Sequence, residues 1–144
     1  MLRRIVGAVV GLVAAFITIS ISQLAMALVM TPPSLQAMQD PAAMRAFVQT
    51  MPASAYIILA IGYAIGAFVG GFVAGKISGN STAGFLPAMF VGVVLTLMGV
   101  INFFVTLPGS PLWAIVLCLI TYLPFAALGN KMAGRAVIGE PSTI

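Results

Sequence analysis

The charged residues of this 144-residue chain lie outside or at the edges of four long apolar segments. Lys and Arg together number six, and Asp and Glu together number two. Of the chain, 62% is hydrophobic, against about 45–50% of a soluble domain. A transmembrane helix needs about 20 apolar residues, and the segments 4–30, 53–76, 83–106 and 111–133 each reach that length. The sequence therefore predicts an all-α membrane protein, a compact bundle of four transmembrane helices in one domain over residues 1–144.

The basic residues predict an orientation in the membrane. Five of the six flank the same side of the predicted bundle as the N-terminus, and Arg45 alone lies on the other side. Because cytoplasmic loops carry an excess of Lys and Arg, both termini are predicted to be cytoplasmic, in a bacterial inner membrane. Orientation also accounts for the net charge of +4, so no nucleic-acid partner is predicted. The five residues are Arg3, Arg4, Lys76, Lys131 and Arg135.

The loop over residues 31–52 contains a pattern typical of a short helix. Asp40 and Pro41 suit the N-cap and the first helical position. Four apolar residues then follow at helical spacing, which predicts a helix near 41–51 lying on the outer membrane surface or across the mouth of the bundle. The alternative is an irregular loop in which the spacing is accidental. The four residues are Met44, Phe47, Val48 and Met51.

The second and fourth segments match each other at an offset of 59 residues. Both would run from the outside to the inside, so the match predicts two hairpins of the same orientation, as in transporters built from parallel repeats. The alternative is a chance match, since membrane helices are built from few residue types. Pro52, Tyr63, Ala67, Gly70 and Lys76 align with Pro111, Tyr122, Ala126, Gly129 and Arg135.

Small residues recur at spacings of three and four within the segments, which places them on single helix faces. Such faces allow backbones to approach closely, and this closeness drives helix association in lipid. We predict that the second and fourth helices face each other, and that a glycine ridge on the second helix seats either the first or the third. The predicted packing residues are Gly7, Gly11, Gly62, Gly66, Gly70, Ala74, Gly84, Gly92 and Gly129.

Few polar residues lie within the segments, and four of them are candidates for a pocket: Gln23, Tyr63, Asn102 and Tyr122. The alternative role for these residues is hydrogen bonding between helices. The chain has no histidine and one cysteine, and it has no acidic or basic residue in mid-membrane. The sequence therefore predicts no catalytic residue, no metal site, no cofactor and no enzymatic activity.

Four sequence features carry a family resemblance: Thr31-Pro32-Pro33, Asp40-Pro41, the segment 66–74 and Pro111-Leu112-Trp113. In these features the chain resembles a family of small uncharacterised bacterial four-helix integral membrane proteins. The resemblance covers nearly the whole chain. It implies a four-helix fold and no established activity.

Two functions are compatible with these observations. The glycine-rich faces and the small mass outside the membrane favour a non-catalytic accessory or structural subunit, which contacts the lipid bilayer and packs against itself or other membrane protein subunits. The alternative is a small transporter or channel for neutral or lipophilic molecules, favoured by the repeat, the two mid-membrane tyrosines and the short helix near 41–51.

Overall fold

The computed structural model describes residues 1–79 and 81–138. Residues 80 and 139–144 and the side chains of residues 81 and 135–138 lie outside this description; among them is Arg135, one of the cations used to predict orientation. The described helices are α1 (Leu2–Met26), α2 (Leu35–Gln39), α3 (Pro41–Gln49), α4 (Ala53–Ser78), α5 (Ser81–Ile101) and α6 (Leu112–Ile138), and a π-helical turn over Asn102–Thr106 extends α5.

Four candidate membrane spans run along α1, α4, α5 with its π-helical turn, and α6. Each is long enough to cross a bilayer, and the mean hydropathy of each lies between 2.1 and 2.4. They pack together as one bundle. The prediction of an all-α, four-span membrane protein is confirmed, and the apolar helices imply contact with lipid.

The extent of the first helix was predicted wrongly. The prediction ran to residue 30, but α1 ends at Met26. The next residues form tight turns in which the amide of Ala27 donates to the carbonyl of Leu24, at 3.1 Å, and the amide of Val29 to that of Met26, at 3.0 Å. The prolines at 32 and 33 then keep residues 31 and 32 out of a helix, because a residue before proline avoids the α-helical conformation.

The long loop contains two short helices. The predicted one is present as α3, with Asp40 as its N-cap, since the Oδ1 atom of Asp40 accepts a hydrogen bond from the amide of Ala42 at 2.9 Å. The other, α2, was not predicted; it begins after Ser34, whose hydroxyl accepts from the amide of Ala37 at 3.2 Å. We call the end of the bundle that carries residues 27–52 the long-loop end.

α4 is the central helix. Of the 18 consecutive residues of α4 with the highest mean hydropathy, 56% are buried. In the corresponding stretches of α1, α5 and α6, at most 33% are buried. α4 packs against α1, α5 and α6. The chain reverses from α4 towards α5 at Gly79, whose φ of 105° lies in the left-handed region that suits glycine at a helix C-terminus.

α1 lies on the predicted glycine ridge of α4. A Cβ atom placed on Gly11 would be 2.6 Å from the carbonyl oxygen of Gly70, and one on Gly70 would be 2.8 Å from the carbonyl oxygen of Gly11. Backbone therefore meets backbone here. Elsewhere along the ridge, a Cβ atom on Gly7 would be 2.9 Å from the carbonyl oxygen of Ala74, and one on Gly66 would meet the side chain of Ile19. Of the two partners that the sequence left open for this ridge, α1 is the one seated along it.

α6 packs on another face of α4. A Cβ atom on Gly71 would overlap the backbone of Ala126, and one on Gly129 would overlap the backbone of Phe68.

The glycines of α5 contact residues of both α4 and α6. Gly84 is next to Gly75 and the side chain of Asn130, and Gly92 faces Leu123 and Ala126. The glycines of α5 therefore lie against α6 and against the C-terminal part of α4.

A small cluster of buried residues holds α3 down on the bundle. Val48 packs with Tyr56 of α4 and Ala114 of α6. The hydroxyl of Tyr56 donates a hydrogen bond to the carbonyl of Val48 at 3.2 Å. The ring of Tyr56 also meets Trp113 edge to face, with 5.7 Å between centroids. These contacts place α3 across the bundle at the long-loop end.

Candidate functional site

A cavity of about 500 Å³ lies at the long-loop end of the bundle. Its walls come from α1, α4 and the π-helical turn, and residues of the 27–33 segment, α2 and α3 complete it. The volume is within the range of about 300–1,000 Å³ that is usual for small-molecule sites. The cavity therefore provides room for a ligand.

Three of the four candidate pocket residues come together in this cavity. The Nδ2 atom of Asn102 donates a hydrogen bond to the hydroxyl of Tyr63 at 3.1 Å. The side chain of Gln23 interacts with the same hydroxyl. Tyr63 is 3% exposed, whereas Gln23 is exposed and Asn102 is half-buried. We call Tyr63, Asn102 and Gln23 the polar cluster.

The π-helical turn helps to position the polar cluster. It begins at Asn102 and closes with a hydrogen bond from the amide of Leu107 to the carbonyl of Asn102, at 3.0 Å. Asn102, Val105, Thr106 and Leu107 all line the cavity. π-Helical turns inside helices are rare and occur frequently at functional sites.

The fourth candidate, Tyr122, lies outside the cavity lining. Its ring packs against that of Tyr63, with 5.4 Å between centroids and 31° between the ring planes. Tyr122 is buried and belongs to the main core cluster together with Cys118. The two tyrosines that the repeat aligns thus meet in the interior, although the duplication itself stays a prediction.

Methionines form much of the remaining cavity wall. Five of the nine methionines in the chain line it. Sequence patterns did not reveal this wall, because only Met44 and Met51 share a helical spacing, in the helix predicted near 41–51. The other three methionines come from separate stretches of the chain. Methionine is flexible and polarisable, and it adapts to ligands of irregular shape. The five are Met26, Met30, Met38, Met44 and Met51.

The mouth of the cavity borders the apolar surface of the bundle. The lining residues Ala27 and Val105 are exposed, whereas the lining residue Leu59 is buried. Leu24, which follows the lining residue Gln23, and Phe104, which precedes the lining residue Val105, are 74% and 71% exposed. Exposed apolar surface of this kind on a transmembrane helix contacts lipid, so the bilayer reaches the mouth.

The cavity is neutral as well as apolar. None of the described residues that line it is charged. Across residues 1–79 and 81–138, no three His, Cys, Asp or Glu side chains are grouped as a metal ion would need. The arrangement is suited to holding an uncharged molecule with few hydrogen-bonding groups.

The fold and the cavity define the class of the protein as a four-span membrane protein with an apolar cavity at one end. No known family model, curated protein or solved structure matches the chain. The class is therefore established by the four apolar helices and their packing.

Proposed function

We propose that the protein binds a neutral, lipophilic molecule in the cavity at the long-loop end, as a small membrane transporter or binding protein. The observation that carries the proposal is the cavity itself, which combines a volume of about 500 Å³, a methionine-rich wall and a single polar cluster. Ligand sites commonly combine a largely apolar lining with a few convergent polar groups.

The lining supports a neutral ligand over a charged one. Moving an ion from water into an apolar site is very costly unless a counter-charge is present. The lining residues supply none. The flexible methionines favour a ligand whose apolar part is held by shape and dispersion, with little demand for one rigid outline.

The packing beyond the cavity favours a binding or carrier role over an open pore. The ring of Tyr63 contacts the ring of Tyr122, which does not line the cavity. Further along α4, Gly71 lies against the backbone of Ala126 and Gly75 lies near Ala133. Close helix contacts fill this part of the interior, so passage through it would require the helices to move.

The accessory-subunit hypothesis stays a second proposal. The hypothesis was motivated by glycine-rich helix faces that a partner protein could cover. The sequence alone could not distinguish such faces from those that pack within the chain's own bundle. Gly62, Gly66 and Gly70 face α1, and Gly71 and Gly129 join α4 to α6. The glycines thus contribute to the chain's own packing, and this gives the hypothesis less support than the cavity gives to ligand binding. A stoichiometric complex with other membrane subunits in gently solubilised source membranes would favour it.

We propose a bacterial inner-membrane location with both termini in the cytoplasm, and membership of the family of small bacterial four-helix proteins that the chain resembles. Lys76 lies in the last turn of α4, at the end away from the long loop. Arg3 approaches Gly79 at this same end, and Arg45 lies on α3. This distribution supports the positive-inside orientation. Reporter fusions at the C-terminus and within residues 31–40 would test it.

Native mass spectrometry of protein extracted gently from its source membrane tests ligand binding. We expect an added mass, in one-to-one ratio, from a neutral organic molecule that solvent extraction releases. Leu59→Trp should abolish this added mass, because Leu59 is 7% exposed and lines the cavity. Ile57→Trp is the matched control, since Ile57 is 49% exposed and does not line the cavity.

An equal added mass in the wild type and in both variants would contradict the proposal, and so would a wild-type protein that carries no molecule. If a ligand is found, its flux into liposomes that contain only this protein would distinguish a transporter from a binding protein.

A further inference from the structure

We infer that the ligand carries a hydrogen-bond acceptor, such as a carbonyl group, at one end of an apolar body, and that the hydroxyl of Tyr63 donates to this acceptor. The inference rests on the proposed binding function and adds the chemical class and the orientation of the ligand.

The first argument is the hydrogen-bonding capacity of Tyr63. A tyrosine hydroxyl has one O–H donor and also accepts hydrogen bonds. Asn102 uses an acceptor position of this hydroxyl, since its Nδ2 atom is the donor at 3.1 Å. The O–H group is left to donate. Tyr63 is 3% exposed, and a buried donor without a partner is unfavourable.

The second argument is the exposure of Gln23, the other group that interacts with the Tyr63 hydroxyl. Gln23 is an exposed residue on the last turns of α1 and lines the cavity. Its side chain has room to turn away from Tyr63. We infer that Gln23 partners the hydroxyl while the cavity is empty, and that the acceptor of the ligand replaces it.

The third argument is the polarity of the cavity along its depth. Tyr63 lies ten residues into α4, about 15 Å along the helix axis at 1.5 Å per residue. Met51 lies two residues before the start of α4, and Met30 and Met38 lie within residues 27–52. The polar cluster thus lies at the deep end of the cavity, and much of the methionine wall lies near the long loop. A ligand would enter with its acceptor first and leave its apolar body among the methionines.

A pair of matched fluorescent probes tests the inference. The first is 6-propionyl-2-(dimethylamino)naphthalene, which is neutral and has one carbonyl group. The second is its carbonyl-free analogue, 2-(dimethylamino)-6-propylnaphthalene. Both quench tryptophan by energy transfer, and Trp113 is the only tryptophan in the chain. Binding is titrated with the protein in lipid nanodiscs, and the signal from protein-free nanodiscs is subtracted.

We expect the wild type to bind the carbonyl probe about 2- to 10-fold more tightly than its analogue, the effect of one hydrogen bond. Tyr63→Phe should remove this preference while leaving the affinity for the analogue unchanged. Gln23→Leu should retain the preference, because the donor is still present. In the wild type and in Gln23→Leu, but not in Tyr63→Phe, the bound carbonyl probe should also emit at longer wavelength than it does in protein-free nanodiscs, because its carbonyl accepts a hydrogen bond.

The outcomes separate the two proposals. Equal affinities for both probes, with no change in Tyr63→Phe and no shift in emission, would overturn the inference while leaving lipophilic binding intact. Failure of the wild type to bind either probe would overturn ligand binding itself, and the inference with it.

Discussion

Substitution of alanine for Gly71 tests the packing between α4 and α6 most directly. The added Cβ atom would overlap the carbonyl oxygen of Ala126 and lie 2.7 Å from its Cα atom. Ordinary contact starts at 3.4 Å, so the helices would have to separate by at least 0.7 Å. The obstructing atoms are backbone, and no rotation of a side chain can relieve the contact.

The expected cost follows from two opposing effects. Overpacking a well-packed interface costs about 1–3 kcal/mol, and a gap of 0.5–1 Å sacrifices about a quarter to a half of the local dispersion energy. Alanine is the better helix former by about 1 kcal/mol. Because backbone meets backbone at Gly71, we expect a steric cost near the top of its range and a net loss of about 2 kcal/mol in the free energy of unfolding.

Cys118 provides the assay. It is the only cysteine in the chain, lies on α6 and is 0% exposed, so a maleimide dye reacts with it only when the bundle opens. A loss of 2 kcal/mol corresponds to roughly 30-fold faster labelling when opening is rapid and reversible, at about 1.4 kcal/mol per factor of ten. The melting temperature in detergent, followed with the same dye, should fall as well.

Gly92→Ala is the matched control. A Cβ atom there would be 3.1 Å from the Cδ2 atom of Leu123, which lies at the tip of a flexible side chain, and 3.3 Å from the Cβ atom of Ala126, only 0.1 Å short of ordinary contact. We expect labelling at or below the wild-type rate. If Gly71→Ala and Gly92→Ala are labelled equally slowly, backbone contact does not govern this interface and the reasoning is wrong.

Three further predictions concern other contacts. Gly66→Leu and Gly70→Leu should each disrupt the seat of α1 on α4; full retention of thermal stability in detergent by both variants would refute the packing described for this ridge. Tyr56→Phe removes the hydrogen bond to α3, worth about 0.5–1.5 kcal/mol, and should loosen α3; faster proteolysis of residues 31–52 and altered emission from Trp113 are the measurements. Asp40→Ala removes the N-cap of α3, worth about 1 kcal/mol, and should speed amide exchange in its first turn; unchanged exchange would refute that role of the cap.

The bundle itself could be predicted from the sequence because its causes are local. Length and hydropathy mark a transmembrane segment without reference to its neighbours. The N-cap and the apolar face of α3 are likewise contained in the short stretch from Asp40 to Met51. The end of α1 was missed by four residues, since the apolar composition continues unchanged from the helix into the turns after Met26.

The cavity could be predicted only in part. Gln23, Tyr63 and Asn102 were candidates because polar residues are rare in the segments, yet no local pattern shows that they meet. The methionine wall depends on how the long loop folds back over the bundle.

The packing partner of the glycine ridge on α4 could not be predicted. The ridge fitted two partners equally well, because Gly7-Gly11-Ala15 of α1 and Gly84-Ala88-Gly92 of α5 present similar small surfaces. Only the three-dimensional packing distinguishes them.

The two glycine faces of α4 have a consequence for the order in which the protein assembles. Gly66 and Gly70 face α1, which is synthesised before α4, whereas Gly71 and Gly129 form the contact with α6, which is synthesised after it. The α1–α4 hairpin has its whole interface as soon as α4 is inserted, while the second face of α4 remains against lipid until α6 arrives. We expect a chain truncated before residue 111 to insert its first three spans and to expose this face, where another small-residue helix, such as α4 of a second truncated chain, finds a place to bind.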